Sequence, residues 1–173
     1  TEVARTIAQA LAGRTDDPVL IAETGGQNAL IADSSALPEQ VVADALASAF
    51  DSAGQRCSAL RVLCVQEDVA DRTFEMLRGA LREWRVGDAR ALATDVGPVI
   101  DDEARERLVA YVEAARARGA RVESSPLPEA CAHGTFVAPT LIAVDDVRAL
   151  TREVFGPVLH LVRYRASELD ALV

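Results

Sequence analysis

Short apolar runs alternate with longer amphipathic segments along this 173-residue chain. The apolar runs have the length of β-strands and cover residues 19–23, 28–33, 59–66, 120–123, 136–143 and 158–164. Helical periodicity predicts helices over residues 2–13, 38–51, 68–84 and 101–118, with a short helix at 145–153. Strands that alternate with helices of this length pair in parallel, and helices then cover both faces of the sheet. The pattern therefore predicts an α/β fold, a three-layer sandwich around a mostly parallel sheet.

The charge of the chain argues against nucleic acid as a partner. Acidic residues outnumber basic ones, 27 to 18, so the formal net charge is −9 and a phosphate backbone would be repelled. No apolar run approaches the roughly 20 residues that span a bilayer, and the N-terminus has no signal-peptide pattern. Because the chain opens at Thr1 without an initiator methionine, we expect a segment of a longer protein.

The three cysteines, Cys57, Cys64 and Cys131, have spacings that fit neither a disulfide framework nor a zinc site. We therefore expect reduced thiols in a cytoplasmic protein. His133 and His160 stand alone in the sequence, without a second ligand at metal-binding spacing. The sequence therefore predicts no metal site.

Cys57 lies in a turn-forming loop, residues 54–58, between a predicted helix and a predicted strand. Loops present side chains to clefts, and a thiol becomes nucleophilic when its pKa is lowered, here by Arg56 or by N–H groups of the loop. A buried structural cysteine explains the same context equally well, because free cysteine is among the most buried residue types. Cys64 lies inside an apolar run, where we expect a structural role, and Cys131 lies in a loop without an evident one.

Two glutamates stand at junctions where a carboxylate can meet a ligand. Glu23 closes the run 19–23, and ligands bind at the C-terminal edge of strands in open α/β sheets. A carboxylate that is partly desolvated there has a raised pKa and can accept a proton from water. Glu153 precedes a Gly-Pro pair at a helix end, where it could bind a ribose. A solvent-facing side chain is the alternative at both positions, and spacing alone leaves both readings open.

Three segments converge on one family. The segments ETGGQN at 23–28, GQRCSA at 54–59 and EVFGPV at 153–158 resemble, in order and spacing, the three motifs of the aldehyde dehydrogenase superfamily. The stretches AETGGQNALIADSSALPEQVV and ASAFDSAGQRCSALRVL also resemble the dehydrogenase module of bifunctional proline utilization A proteins, whose substrate is glutamate semialdehyde. The resemblance implies the catalytic-domain fold of that superfamily.

The resemblance also implies a mechanism. The Cys57 thiolate would attack the aldehyde, a hydride would pass to NAD+, and Glu23 would activate the water that hydrolyses the resulting thioester. The Cys57 backbone N–H would stabilise the oxyanion together with an asparagine that lies outside this chain.

The resemblance assigns further contacts to the cofactor and the substrate. Glu153 would bind the ribose and Phe155 would pack near the nicotinamide, and we expect Gly25 at the cofactor as well. Thr1 and Glu2 resemble the residues that follow the pyrophosphate-binding turn. Next to the nucleophile, Ser58 resembles the serine that contacts the substrate carboxylate in semialdehyde-specific members, and we expect Arg56 to line the same subsite.

The implied domain division assigns residues 1–22 to a remnant of the NAD-binding domain. Residues 23–173 would form the catalytic domain, incomplete at its C-terminus. The expected partners are an aldehyde and NAD, FAD would belong to a separate proline dehydrogenase domain, and the parent protein would be a homo-oligomer. Three alternatives remain open: a dehydrogenase of another semialdehyde, a cysteine hydrolase that uses Cys57 and Glu23 without a nucleotide, and an inactive scaffold that retains the motifs.

Overall fold

The computed structural model describes residues 2–173. The five strands are β1 Asn28–Ala32, β2 Leu60–Gln66, β3 Val122–Ser124, β4 Thr140–Val144 and β5 Val158–Tyr164. The α-helices are α1 Glu2–Leu11, α2 Pro38–Phe50, α3 Glu67–Glu83, α4 Asp102–Ala117 and α5 Leu169–Leu172. Short 3-10 helices are Asp51–Gly54, Glu129–His133, Val147–Ala149 and Ala166–Glu168.

The strands form one sheet in the order β1-β2-β5-β4-β3. The pairings β1 with β2, β2 with β5 and β5 with β4 are parallel, and only β3 with β4 is antiparallel. Every residue of the interior strand β2 is buried, which fits its mostly apolar side chains. The mostly parallel sheet predicted from the sequence is confirmed.

Helices cover both faces of this sheet. His160 and Arg163 lie three positions apart in β5, so their side chains project from opposite faces. On one face, Arg163 forms an ion pair with Asp71 of α3. On the other face, the hydroxyl of Tyr111 in α4 lies 2.8 Å from His160 Nε2. The sheet thus lies between helices, in the three-layer α/β arrangement that the sequence predicts.

The helix boundaries follow from local sequence signals. Helix α2 begins at Pro38, whose fixed φ suits the first turn, and it buries Leu46 and Phe50 in the core. Helix α4 begins after Asp101, whose carboxylate accepts a 2.7 Å hydrogen bond from Ala104 N. These signals place both helices within one or two residues of their predicted limits.

Two predicted elements are wrong. Residues 19–23 form no strand, and Val19 and Ile21 are 88% and 83% exposed. A strand needs a neighbour for its backbone hydrogen bonds, and none of the strands described within residues 2–173 runs beside this segment. The predicted helix at 145–153 shortens to the single 3-10 turn Val147–Ala149, which leaves Glu153 in a loop. Within residues 2–173, none of the helices combines the length and the apolar character that crossing a membrane requires.

His160 connects α4 to β2 through its ring. The Nδ1 atom lies 3.0 Å from the carbonyl oxygen of Arg61, which only accepts, so Nδ1 carries the proton and Nε2 accepts from Tyr111. Burial lowers the pKa of His160 below its ordinary value of 6.5; the positive charge of Arg61 adds to this lowering, while the hydrogen bond to Arg61 opposes it. The folded protein therefore holds this imidazole neutral.

We expect the free energy of unfolding to fall as the pH drops below about 6.5, because the lowered pKa of folded His160 makes the unfolded chain bind a proton more readily there. The maximum slope for one such group is about 1.4 kcal/mol per pH unit. Urea unfolding between about pH 7.5 and about pH 5.5 measures it. His160→Asn should flatten this dependence, whereas His133→Asn, at an exposed histidine, should retain it. An unchanged slope in His160→Asn would contradict the assignment.

Candidate active site

Cys57 lies in a tightly turned loop between α2 and β2. The turn passes through Asp51–Gly54, whose last three residues have positive φ values of 55°, 53° and 64°. A Cβ on Gly54 would overlap the carbonyl of Gly156, so the loop packs directly against the EVFGPV segment. At the end of this turn Cys57 is exposed.

The two neighbours of the thiol are exposed as well. Arg56 precedes Cys57 and Ser58 follows it, and both side chains face solvent. The structure therefore places the three residues of the predicted nucleophile and substrate subsite side by side on one loop surface.

Glu23 lies in an irregular segment, residues 17–27, and not at the end of a strand as the sequence predicts. Its side chain is exposed, so the expected partial desolvation is wrong too. Both differences have one cause: the run 19–23 finds no strand partner among the described residues, and its end remains in solvent. The part of the motif that follows Glu23 does reach the Cys57 loop.

Asn28 connects the first motif to the Cys57 loop. Its Nδ2 donates to the carbonyl of Cys57 at 2.7 Å and to the carbonyl of Ala59 at 3.0 Å. One amide group thus holds both ends of the short segment 57–59. The first and second motifs therefore meet at the backbone of the predicted nucleophile.

Glu153 joins the third motif to the first. Its Oε2 accepts from Gly26 N at 3.2 Å, and only 17% of its side chain is exposed. Gly25 has a φ of 147°, and a Cβ there would stand 2.5 Å from the same carboxylate oxygen. Only glycine permits this approach. The structure therefore brings Gly25 and Glu153, both predicted at the cofactor, into direct contact.

Arg61 is the centre of this arrangement. The residue is 0% exposed. Its Nε and Nη2 donate to Glu153 Oε1 at 3.1 and 2.8 Å. Its Nη1 donates to the carbonyls of Gly54 at 2.7 Å and Gly156 at 3.2 Å, and its Nη2 donates to the carbonyl of Arg56 at 3.1 Å. One guanidinium thus binds the second and third motifs, and reaches the first through Glu153.

A cleft of about 530 Å³ opens beside Glu153 and Phe155. Helix α4 forms its other wall, with Arg107 and Tyr111. Phe155 is 47% exposed, and its ring centroid lies 5.2 Å from Cζ of Arg61. The volume falls in the range of small-molecule sites, and the wall combines a carboxylate, an aromatic ring and a cation. Such a wall can bind the hydroxyl groups, the ring and the negative charge of a nucleotide.

The remaining predicted residues lie elsewhere. Glu2 is the exposed first residue of α1, and Thr1 lies outside the described residues. Cys64 and Cys131 are buried, and burial raises the pKa of each thiol. Residues 2–173 contain no group of three or more histidine, cysteine or acidic side chains that could hold a metal ion.

Arg61, Asn28 and Arg107 were not predicted from the sequence as residues of the site. Arg61 does carry a signal, since it interrupts the apolar run LRVLCVQ, and a charge in a buried strand requires partners. Asn28 lies two residues after the glycine pair and closes the segment ETGGQN, but its sequence context gave it no role. Arg107 has no distinguishing local context, because α4 is rich in arginine.

Comparison with known proteins matches residues 1–172 to the aldehyde dehydrogenase family. The chain is 58% identical to the bifunctional protein PutA of Klebsiella aerogenes and 54% identical to that of Escherichia coli (strain K12), in each case over its full length. It spans 14% of the length of either relative.

Solved structures agree with this match. A crystal structure of bifunctional proline utilization A superposes with a TM-score of 0.92 at 54% identity, covering 99% of this chain and 17% of that one. Betaine aldehyde dehydrogenase from Staphylococcus aureus, in complex with NAD+, superposes with a TM-score of 0.86 at 30% identity, covering 96% of this chain and 34% of that one.

We expect Ellman's reagent to modify one thiol of the folded chain rapidly, because Cys57 is exposed while Cys64 and Cys131 are buried. The two buried thiols should react slower by about tenfold or more, since they become accessible only when the structure opens. Release of the thiolate dye, followed with time in native buffer and in denaturant, measures both phases. Cys57→Ser should abolish the fast phase and leave the slow one; a fast phase that survives would contradict the geometry.

Proposed function

The chain belongs to the aldehyde dehydrogenase family, and on that premise we propose that it carries the nucleophile and base of an NAD-dependent L-glutamate γ-semialdehyde dehydrogenase. The parent protein, meaning the longer polypeptide of which this chain is a segment, would oxidise the semialdehyde to L-glutamate in proline catabolism. The observation that carries the proposal is the meeting of the Cys57 loop, Gly26 and Glu153 around Arg61. Relatives named PutA, 52–58% identical over the whole chain, support the substrate.

Cys57 would start the reaction. Its exposed thiolate forms a bond to the aldehyde carbon, and the carbonyl oxygen takes up the negative charge. The Cys57 N–H donates to this oxyanion. The thiohemiacetal carbon then loses a hydride, and a thioester remains on Sγ. NAD+, when bound, supplies the acceptor for that hydride.

Glu23 would complete the turnover as a general base. It takes a proton from water as the water oxygen attacks the thioester carbonyl, and the Cys57 thiolate leaves. The exposure of Glu23 leaves it open to water, and the hydrogen bonds of Asn28 fix the segment that follows it against the Cys57 loop. Both features support this role.

The described residues fit a dinucleotide. The 530 Å³ cleft is lined by Glu153, Phe155 and Arg107. We propose that Glu153 binds ribose hydroxyls, that Phe155 packs near the nicotinamide, and that Arg107 binds a negatively charged group of the dinucleotide. Gly25 lets the chain pass close to Glu153. Glu2, with Thr1 before it, would lie near the pyrophosphate.

We retain the domain division at residues 22 and 23 as part of the proposal. Helix α1 buries none of its residues, and Val3 and Ile7 are 70% and 44% exposed. An apolar stripe of this kind normally packs on a neighbour. This supports assigning residues 1–22 to an NAD-binding domain and residues 23–173 to the catalytic domain.

Ser58 and Arg56 flank the nucleophile and would bind the substrate carboxylate. A hydroxyl and a guanidinium are suitable donors for that group. We further propose a cytoplasmic homo-oligomer in which FAD belongs to a separate proline dehydrogenase domain. The word bifunctional in the names of the relatives supports a second activity in the parent protein. The isolated chain is expected to be inactive, because in the proposed domain division most of the nucleotide-binding domain would lie outside it.

In the parent protein, Cys57→Ala should reduce NADH formation from glutamate semialdehyde to background, since no other exposed thiol lies within residues 2–173. Binding of NAD+, measured by calorimetry, should persist. Cys64→Ala, at a buried thiol, is the matched control and should retain activity. Wild-type hydrolysis of esters with no NAD-dependent oxidation would instead favour a cysteine hydrolase.

Glu23→Gln in the parent protein should separate the two half-reactions. The amide cannot accept a proton, so the first turnover should still release NADH while the thioester accumulates. The steady-state rate should fall by about 10²–10⁴, the usual contribution of a general base. Stopped-flow absorbance records the burst and the steady phase. Equal loss of both phases would show that Glu23 does not serve the hydrolysis step.

A further inference from the structure

We propose that Arg61 is a positioning residue that orients the Cys57 backbone N–H toward the reacting oxygen. This rests on the proposed function, in which that N–H stabilises the oxyanion. The role follows from the geometry of the Arg61 side chain and from the planarity of one peptide bond.

The first step is the saturation of Arg61. A guanidinium carries five N–H donors, and each of them has an acceptor here: the Glu153 carboxylate takes two, and three backbone carbonyls take the others. The side chain is 0% exposed, so no hydrogen bond to water competes. A fully buried, fully bonded fork has one orientation, and its acceptors are fixed with it.

The second step is the acceptor at Arg56. Its carbonyl accepts from Arg61 Nη2 at 3.1 Å, and it belongs to the same peptide unit as the N–H of Cys57. The peptide bonds described within residues 2–173 are all trans, so this unit is planar, and its carbonyl and its N–H point in opposite directions. Because Arg61 binds the carbonyl on the buried side, the Cys57 N–H points away from Arg61.

The third step is the neighbouring peptide. Asn28 Nδ2 holds the carbonyl of Cys57 at 2.7 Å, so the peptide units on both sides of the Cys57 Cα have a bound carbonyl. The Arg56 carbonyl also accepts from Ala59 N at 3.1 Å, which closes the turn. Rotation of the Arg56–Cys57 unit would break this bond and the Arg61 bond, and would leave a buried guanidinium donor unpaired, which is costly. Arg61 therefore adds a buried, charge-assisted bond to the orientation that the Ala59 bond also favours.

Two reactions of Cys57 distinguish orientation of its backbone N–H by Arg61 from general structural support of the loop by Arg61. With p-nitrophenyl acetate, the Cys57 thiolate forms an S–C bond, the carbonyl oxygen carries the charge, and p-nitrophenolate leaves with the C–O electron pair. That step needs the oxyanion donor but no NAD. With iodoacetamide, the thiolate displaces iodide from carbon, and no oxyanion forms. The first reaction reports the N–H orientation, and the second reports only the thiolate.

The experiment uses the parent protein with Arg61→Lys, whose single amine cannot reach all four acceptor atoms that Arg61 binds. We expect ester acylation to fall by about 10²–10³, the effect of losing one oxyanion donor. Alkylation by iodoacetamide should stay within about threefold of wild type, since no donor to an oxyanion is involved. Arg163→Lys, at an exposed arginine of the same sheet, is the matched control and should leave both rates unchanged.

A second variant guards against a folding defect, because a buried carboxylate without its partner is destabilising. The double substitution Arg61→Met with Glu153→Met removes both charges, and its ester acylation should fall as in Arg61→Lys. A folded variant that acylates within about threefold of wild type would overturn the proposal. A parallel loss of both reactions, or the failure of both variants to fold, would overturn it equally, by making Arg61 a structural residue.

Failure of the proposed function gives a different result. If the wild-type parent acylates the ester but never oxidises an aldehyde with NAD+, the dehydrogenase assignment is wrong, and the Arg61 effect on acylation still stands.

Discussion

When a guanidinium is buried away from water, each of its N–H donors needs an acceptor from the protein. In this protein Arg61 is such a buried guanidinium. Transferring its charge from water is unfavourable unless a counter-charge and hydrogen bonds replace the lost solvation. Glu153 provides the charge, and the loop carbonyls provide the remaining bonds. Because these acceptors belong to segments far apart in the chain, satisfying one side chain brings three motifs together.

The sheet makes that meeting possible. Strands β2 and β5 are parallel neighbours with Val62 opposite His160, so the segments that precede both strands lie at the same edge. One of these segments carries Cys57 and the other carries Glu153. The backbone of Arg61 is held by His160 while its side chain holds the two loops, so the core and the site share one residue. A change in strand register would disturb the chemistry as well as the packing.

Local signals made much of the fold predictable. The apolar run at 59–66 and the capped helix at 101–118 lie within two residues of β2 and α4, because burial and capping act over short distances. The motif order also indicated which loops meet. The role of Arg61 could not be derived in the same way, since its acceptors include carbonyls up to 95 residues away, and any residue type supplies a carbonyl. The run 19–23 has strand character too, but a strand depends on a neighbour that its own sequence does not specify.

The exposed run 19–23 also affects how copies of this chain interact with one another. Val19 and Ile21 are exposed to solvent, and their segment belongs to no strand of the sheet described in residues 2–173. Extended apolar segments of this kind act as templates for other chains, and identical copies are the most abundant partners in a concentrated solution. Self-association of this chain is therefore favoured by five residues that contribute nothing to its core.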